Sequence, residues 1–284
     1  MCYYVSLCLR FKDERIDLLV KEMIARKMVT FRMLGKVQAM YSNAGNVEKS
    51  KHYLRLMDEY GSIHILAYNR VIHAYVRNES EESAFAVLEY LDEMQQKGVE
   101  PDSTSITTAM QAWAKRGRVD RVLGLWEKMK EKNLEPQEAT FNTILSTFAF
   151  HKGLSNADAE KAQEIFLEMQ RFGYQPSETS VSMMVKIVAR QKGAEKGQAF
   201  LNEVASTFGI SPHSVQPLNT IISAFIREGE LDKALDLLKQ MNDRGEGDKA
   251  TQHALLNSCV RSNDLGALVR SFKMLVQAKN STID

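Results

Sequence analysis

Residues 219–241 read NTIISAFIREGELDKALDLLKQM, and this stretch decides the fold. Its first half is an apolar segment that ends at Gly229, and its second half is amphipathic. The apolar residues of the second half recur at steps of three and four, the spacing of one buried face of an α-helix; they are Leu231, Ala234, Leu235, Leu238 and Met241. The stretch therefore predicts a helix, a left-handed turn at Gly229 and a second helix.

The same pattern recurs along the chain. A small residue followed by an aromatic one ends the first half at Ala74-Tyr75, Ala112-Trp113 and Thr147-Phe148, as Ala224-Phe225 does above. We call the residue five positions before the small one the reference residue of its unit. The same ruler places the reference residues at Met1, Gly35, Asn69, Thr107, Asn142, Ser182, Asn219 and His253, 34 to 40 residues apart. Two-helix units at this period predict an all-α solenoid, in which each unit buries its apolar face against its neighbours.

The second helices supply the predicted core. Met94, Met129 and Met241 occupy equivalent apolar positions near the ends of these helices, where we expect them to fill space between units. Tyr90 and Trp126 fall on the same apolar faces, so we predict that both are core residues rather than ligand contacts.

Composition excludes several classes of protein. The chain is 44% hydrophobic and has only 5 Pro, which argues against a disordered protein, and no apolar run approaches the roughly 18 residues that span a membrane. Three cysteines (Cys2, Cys8 and Cys259) cannot form a disulfide framework, which indicates a reducing compartment. No zinc-ligand spacing or phosphate-binding glycine loop occurs. We therefore expect a protein that is not an enzyme and that uses no cofactor, metal or membrane.

Twelve-residue windows around the reference residues contain no acidic residue. In seven units we take the 12 residues from three before to eight after the reference residue, namely 32–43, 66–77, 104–115, 139–150, 179–190, 216–227 and 250–261. These windows hold no Asp or Glu and nine Lys or Arg: Arg32, Lys36, Arg70, Arg77, Lys115, Lys186, Arg190, Arg227 and Arg261. Because the helix dipole favours acids in a first turn, their absence runs against local preference.

Five of these basic residues lie eight positions past their reference residue. We call them the cation row: Arg77, Lys115, Arg190, Arg227 and Arg261. Such a row can follow a phosphodiester backbone although the net charge is only +1. The alternative is that first helices are simply buried, with basic side chains extending from their C-terminal ends, where the dipole favours them. Burial explains the regular cations less well, so we predict contacts with a nucleic-acid backbone.

The unit resembles the pentatricopeptide repeat, which runs roughly V-T-Y-N-T-L-I-x-x-L-x-K-x-G-x-x-x-x-A-x-x-L-x-x-M and continues as K-x-G-x-x-P-D. Residues 67–69, 139–142 and 218–222 are similar to its first part, and residues 97–102, KGVEPD, to its second. The resemblance covers nearly the whole chain. It implies a right-handed α-solenoid superhelix of tandem helix-turn-helix repeats in a mitochondrion or chloroplast.

On this resemblance we divide the chain into three parts. Residues 1–29 are expected to be a partial N-terminal repeat, mostly its second helix, residues 30–275 a single solenoid of about seven repeats, and residues 276–284 a C-terminal tail. Met1 falls inside a repeat, with no junction or Arg- and Ser-rich presequence before it. We therefore expect a processed or truncated form or an incomplete gene model; a natural start with a frayed first unit is the alternative.

In related repeats, the reference residue and the residue just after the junction proline contact one base edge of RNA. The resemblance assigns Asn69 with Asp102, and Asn219 with Asp248, to uridine. An Asn amide offers one donor group and one acceptor, so it can complement a pyrimidine. The alternative for each Asn or Thr is a cap on its own helix.

The other units match the family pattern less closely. Asn142 with Ser177 is similar to a pair that favours cytidine, and two further polar pairs without an assigned base are Thr107 with Gln137 and Ser182 with Ser214. His213 could substitute for Ser214. Gly35 with His64, and Met1 with Thr30, depart from the pattern and are expected to read no base.

The resemblance implies an organellar protein that binds single-stranded RNA and acts in RNA processing, stability or translation. The alternative is a protein-interaction scaffold or ribosome-associated subunit that uses the same surface. In related repeats a branched apolar residue three before the reference residue stacks on bases. Here that position is branched apolar at Leu66, whereas the other units carry Thr104, Ala139, Thr179, Gln216 and Ala250, which favours the alternative.

Overall fold

A computed structural model describes residues 15–60, 64–78, 80–246, 249–261, 266 and 269–270. These residues form α-helices and no β-strand, which confirms the predicted all-α fold. Residues 1–14 of the expected partial repeat and the expected tail at 276–284 lie outside the described residues. The helices within the described ranges are α1 (Ile16–Ala25), α2 (Phe31–Asn43), α3 (Val47–Glu59), α4 (Ile65–Asn78), α5 (Glu81–Gln96), α6 (Ser103–Ala114), α7 (Val119–Glu131), α8 (Glu138–Phe150), α9 (Asn156–Arg171), α10 (Glu178–Lys192), α11 (Ala194–Phe208), α12 (Val215–Glu228), α13 (Leu231–Asp243) and α14 (Lys249–Arg261).

The helices group into two compact halves, Met1–Thr143 and Ile144–Asp284. In the N-terminal half, α2 packs on α3 and α4, α4 packs on α3, α5 and α6, and α6 packs on α5 and α7. Each of these first helices therefore contacts its own second helix, and α2 and α4 also contact the first helix of the next repeat. This is the packing that the repeat pattern predicts.

In the C-terminal half, first helices likewise pack on second helices and on the first helix of the next repeat. Helix α10 packs on α9, α11 and α12, and α12 packs on α11, α13 and α14. Helix α13 also contacts α14. Stacked helix pairs are thus present in each half of the chain.

Large side chains of the second helices fill the core as predicted. Met94, Met129 and Met241 have no exposed surface, and Tyr90 and Trp126 are 3% and 1% exposed. The indole ring of Trp126 meets the ring of Phe141 edge to face at a centroid distance of 5.6 Å. The anchor and core predictions for these five residues are confirmed.

Gly229 makes the predicted turn between α12 and α13. Its φ of +81° lies in the left-handed region, where a residue with a Cβ is strained. The Glu230 amide donates to the Phe225 carbonyl at 3.0 Å, which satisfies one of the free carbonyls at the end of α12. The turn reverses the chain so that the two helices of the unit can pack together.

Candidate nucleic-acid interface

In each repeat where its side chain is described, the residue three before the reference residue lies on the exposed face of its own first helix. All those with described side chains are exposed: Arg32, Leu66, Thr104, Ala139, Thr179 and Gln216. Leu66 is 56% exposed, a large apolar side chain in water. This face is therefore open to a ligand, and Leu66 offers it one apolar platform.

The predicted pair Asn69 and Asp102 comes together in the structure. The Asn69 amide nitrogen Nδ2 lies 3.3 Å from Oδ1 of Asp102 and donates to it. Asp102 is also the N-cap of α6, because its carboxylate accepts from the Ser105 backbone amide at 2.7 Å. In return, the Asp102 backbone amide donates to the Ser105 hydroxyl oxygen at 3.2 Å. The cap therefore fixes the carboxylate that holds Asn69.

Ser105 completes this cluster and was not predicted from the sequence. Its hydroxyl lies 2.5 Å from Oδ1 of Asn69 and 2.8 Å from Oδ1 of Asp102. A carboxylate only accepts hydrogen bonds, so the Asn69 atom that faces Asp102 must be the amide nitrogen. One N–H and one lone pair of the half-buried Asn69 amide take part in no further hydrogen bond within the described ranges, and together they are the complement of the donor and acceptor on a uracil edge.

Thr107 and Gln137 lie in different environments. Thr107 is 6% exposed, and its hydroxyl shares a 2.8 Å hydrogen bond with the hydroxyl of Thr140. The backbone N–H of Gln137 donates to the same Thr140 hydroxyl oxygen at 3.1 Å, while the side chain of Gln137 is exposed. In this unit the residue after the proline, and not the reference residue, faces solvent.

Asn142 and Ser177 each bond within their own helix. The Asn142 amide nitrogen lies 3.3 Å from Oε1 of Glu138, one turn earlier in α8, and its buried Oδ1 has no hydrogen-bond partner in the described part of the chain. Ser177 caps α10 by accepting from the Ser180 amide at 3.4 Å. For Ser177, the helix-cap interpretation agrees with the structure.

The remaining predicted base-reading residues lie in the C-terminal half of the chain. The Ser182 hydroxyl shares a 2.8 Å hydrogen bond with that of Thr220, and Ser214, at the start of α12, is 6% exposed. Asn219 is half-buried, and its Oδ1 has no hydrogen-bond partner among the described residues. Asp248 lies outside the described residues, so its pairing with Asn219 stays a prediction.

Three members of the cation row are exposed. Arg77 and Arg227 lie in the last turns of α4 and α12, and Lys115 directly follows α6. Oε1 of Glu228 lies 3.9 Å from the Arg227 guanidinium, a weak ion pair on a side chain that is half exposed. The side chain of Arg261 is outside the described set.

Arg190 departs from the row because its guanidinium is engaged by the protein. It donates to the backbone carbonyls of Ala149 at 3.0 Å, His151 at 2.7 Å and Lys152 at 3.3 Å. These carbonyls end α8, where the helix dipole favours a cation. These hydrogen bonds agree with the alternative interpretation of the cation row for Arg190, and a contact of Arg190 with a nucleic-acid backbone stays a prediction.

Replacing Arg190 by methionine is expected to lower the free energy of unfolding by about 1.5–3 kcal/mol, the range for hydrogen bonds to a charged group. The salt dependence of ligand binding is expected to stay unchanged. Thermal melting checks the first point, with Arg227→Met as the control, whose exposed side chain predicts a change within about 0.5 kcal/mol. Equal melting temperatures for the two variants would contradict the structural role of Arg190.

Lys186 adds a cation that lies outside the row. Together with Ala189, Thr220, Ser223 and Arg227 it lines a cleft of about 220 Å³ against α12. Its Nζ lies 4.1 Å from the ring centroid of the exposed Phe150. Burial lowers the pKa of Lys186, and the nearby charges of Arg190 and Arg227 lower it further. Cations crowded in this way make the cleft attractive to an anion.

The described ranges contain no cluster of metal-ligating side chains. No group of three His, Cys, Asp or Glu residues there could hold a metal ion, and no helix there is long and apolar enough to cross a membrane. The ring nitrogen Nδ1 of His73 is 3.1 Å from the Ser42 hydroxyl, and burial together with the charge of Arg77 lowers the His73 pKa. His73 is thus a packed, neutral histidine at pH 7.

Solved structures and curated proteins share this architecture. The crystal structure of the pentatricopeptide repeat protein PPR10 from maize matches 96% of this chain and 38% of its own length, with a TM-score of 0.69 and 24% identity. The structure of PPR10 with an 18-nt psaJ RNA element matches 92% of this chain and 42% of its own length, with a TM-score of 0.55 and 18% identity. At these identities the likeness shows the fold alone.

Two proteins of Arabidopsis thaliana are similar in sequence. A chloroplastic pentatricopeptide repeat-containing protein is 29% identical over 148 residues, which are 51% of this chain and 18% of the relative. Small ribosomal subunit protein mL103 is 23% identical over 217 residues, 75% of this chain and 49% of the relative. The chain thus spans about half or less of the length of these relatives.

Family models match most of the chain without a gap. The PPR repeat matches residues 66–99, the pentatricopeptide repeat domain residues 90–149, and the pentacotripeptide-repeat region of PRORP residues 150–281. These matches begin at the start of α4 and extend past α14, so that α1, α2 and α3 lie outside them. The chain belongs to the pentatricopeptide repeat family.

Proposed function

We propose that this chain binds single-stranded RNA through the exposed face of its first helices and that Asn69 with Asp102 reads uridine. The observation that carries the proposal is the Asn69–Asp102–Ser105 cluster, in which Asp102 accepts from the Asn69 amide nitrogen and the Ser105 hydroxyl contacts the Asn69 amide oxygen, so that the amide is oriented. A cap on α6 requires Asp102 and Ser105 but does not require Asn69. The presence of Asn69 in the cluster therefore favours a role in recognition.

The charge distribution supports an RNA ligand. The acid-free windows place cations on the first helices, where Arg77, Arg227 (beside Glu228) and the Lys186 cleft can contact phosphates. Leu66 adds an exposed apolar contact three residues before Asn69, which suits the face of a base. The maize relative PPR10 was solved with RNA bound, which is consistent with this use of the fold.

We propose further that the protein acts in an organelle, in RNA processing, stability or translation, as a binder rather than an enzyme. One relative is named chloroplastic. The second candidate function is that of a ribosome-associated scaffold, favoured by the similarity to mL103 and by the Thr, Ala and Gln residues that stand at the position of Leu66 in other units. A scaffold that holds a peptide by apolar contacts would bind with little dependence on salt.

Base preference tests the proposed reading directly. Selection from a pool of randomised short RNAs is expected to enrich uridine at one position with the unchanged chain, and Asn69→Ala is expected to reduce that enrichment about tenfold because it removes the reading amide. Ser105→Ala is expected to reduce it less, since Asp102 still holds the amide nitrogen. Ser206→Ala, at an exposed serine of α11, is the control.

The selection also separates the two candidate functions. Enrichment of the same bases by the unchanged chain and by Asn69→Ala would contradict the uridine assignment. Absence of any bound RNA at low salt would instead favour the scaffold, and capture of ribosomal proteins would then be the next measurement.

A further inference from the structure

Arg70 occupies the place of a missing reference side chain. Gly35 is the reference residue of the unit that begins with α2, and the sequence predicts that a glycine there reads no base. In the structure the Arg70 guanidinium, from α4, lies over Gly35, so that a Cβ on Gly35 would stand 2.8 Å from Nη1 and 3.8 Å from Nη2. Arg70 thus puts hydrogen-bond donors where the other units place a reference side chain.

The Arg70 guanidinium has no acceptor within the described ranges. The hydrogen bond of Arg70 to another helix uses its backbone carbonyl, which accepts from the Ser42 hydroxyl at 2.6 Å, and no ion pair involves its side chain there. The residue is half-buried, and burial lowers its pKa without a compensating acid. A guanidinium carries five donors, and removing it partly from water without a partner is unfavourable. A ligand with acceptors would supply what this site lacks.

The neighbouring side chains narrow the chemistry of that ligand. Arg32 and Lys36 are exposed on α2, and neither α2 nor α4 contains an acidic residue. Arg70 directly follows Asn69, whose amide belongs to the base-reading cluster. The guanidinium therefore lies among basic side chains, one residue after Asn69 in the sequence.

We propose that Arg70 is a specificity-determining residue that reads guanine in the unit whose reference residue is Gly35. Guanine offers the acceptor pair O6 and N7, which a planar guanidinium can bind through two parallel hydrogen bonds. In single-stranded RNA this edge is free to be read. The inference rests on the proposed RNA-binding function and adds one nucleotide to the recognised sequence, adjacent to the uridine read by Asn69.

Two variants test this reading without removing the fold. Arg70→Lys keeps the charge but loses the two-pronged donor. In Gly35→Ala the three nearest neighbours of the added methyl group are atoms at the flexible end of Arg70, so the chain can fold while the guanidinium must move. Arg171→Lys, at an exposed arginine in the last turn of α9, is the matched control.

Selection from randomised short RNAs is expected to enrich guanine beside the uridine with the unchanged chain and with Arg171→Lys. Arg70→Lys and Gly35→Ala are expected to lose about tenfold in guanine preference and to keep the uridine preference. Unchanged guanine selection in Arg70→Lys would overturn the inference. An equal loss of affinity for all RNAs would also overturn it, because that result identifies a phosphate contact. In both cases the selection of uridine persists and the proposed function stands. If the unchanged chain selects no RNA, both proposals fail.

Discussion

Replacing Arg77, Lys186 and Arg227 together by methionine is expected to weaken binding of single-stranded RNA about a hundredfold at 0.1 M salt. Each lost phosphate contact reduces the slope of log K against log salt by about 0.7, so three contacts account for about two decades at that concentration. Methionine keeps the length of the side chains and removes their charge, which limits the effect on packing. Arg77 and Arg227 are exposed, and Lys186 lines the basic cleft.

The control variant carries the same change in net charge on second helices. Lys21, Lys196 and Lys239 are exposed on α1, α11 and α13, and their replacement by methionine is expected to change the affinity less than about threefold. Fluorescence anisotropy of a labelled short RNA at several salt concentrations measures both slopes. Equal losses in the two triple variants would show that net charge, and not the first-helix cations, governs binding.

Trp126→Ala is expected to lower the free energy of unfolding by about 3–5 kcal/mol, the cost of removing a large buried aromatic side chain. The ring is 1% exposed and packs edge to face on Phe141. Its Nε1–H has no acceptor in the described part of the chain, so the expected loss comes from packing and not from a hydrogen bond. Because repeats depend on their neighbours, the amides of α7 and the adjoining helix should exchange faster.

Trp126→Phe serves as the comparison. It keeps an aromatic ring beside Phe141 and deletes the N–H that lacks an acceptor, so we expect a cost of about 1 kcal/mol. Urea unfolding followed by circular dichroism measures both variants. A loss below about 1 kcal/mol in Trp126→Ala would contradict the central packing role of this side chain.

The sequence predicts the helix pairs well because apolar residues at steps of three and four share one face of a helix, and that face must be buried. Met129 and Met241 lie 22 residues after their reference residues and Met94 lies 25 after its own, and all three are fully buried. Similarly, Gly229 interrupts two apolar periods, and it adopts the left-handed turn that joins them. These features depend on local spacing, which the chain shows directly.

The candidate site is predicted less completely, because contacts between repeats depend on how far each side chain reaches. The family pattern places Asn69 beside Asp102, but it does not show Ser105, whose signal is the D-x-x-S spacing of a capping box. Equal spacing puts Arg190 in the cation row, yet its guanidinium turns to the end of α8. Arg70 covers Gly35 from 35 residues away in sequence, which no local pattern indicates.

The affinity of the unchanged chain for a labelled, uridine-containing single-stranded RNA, measured at about 50 mM and 200 mM salt, tests the central claim most directly. Arg77, Lys115, Lys186 and Arg227 allow about four phosphate contacts, so we predict that the affinity falls about fiftyfold between the two concentrations. No detectable binding at the lower concentration, or an affinity that does not change with salt, would contradict recognition of RNA through the cations of the first helices.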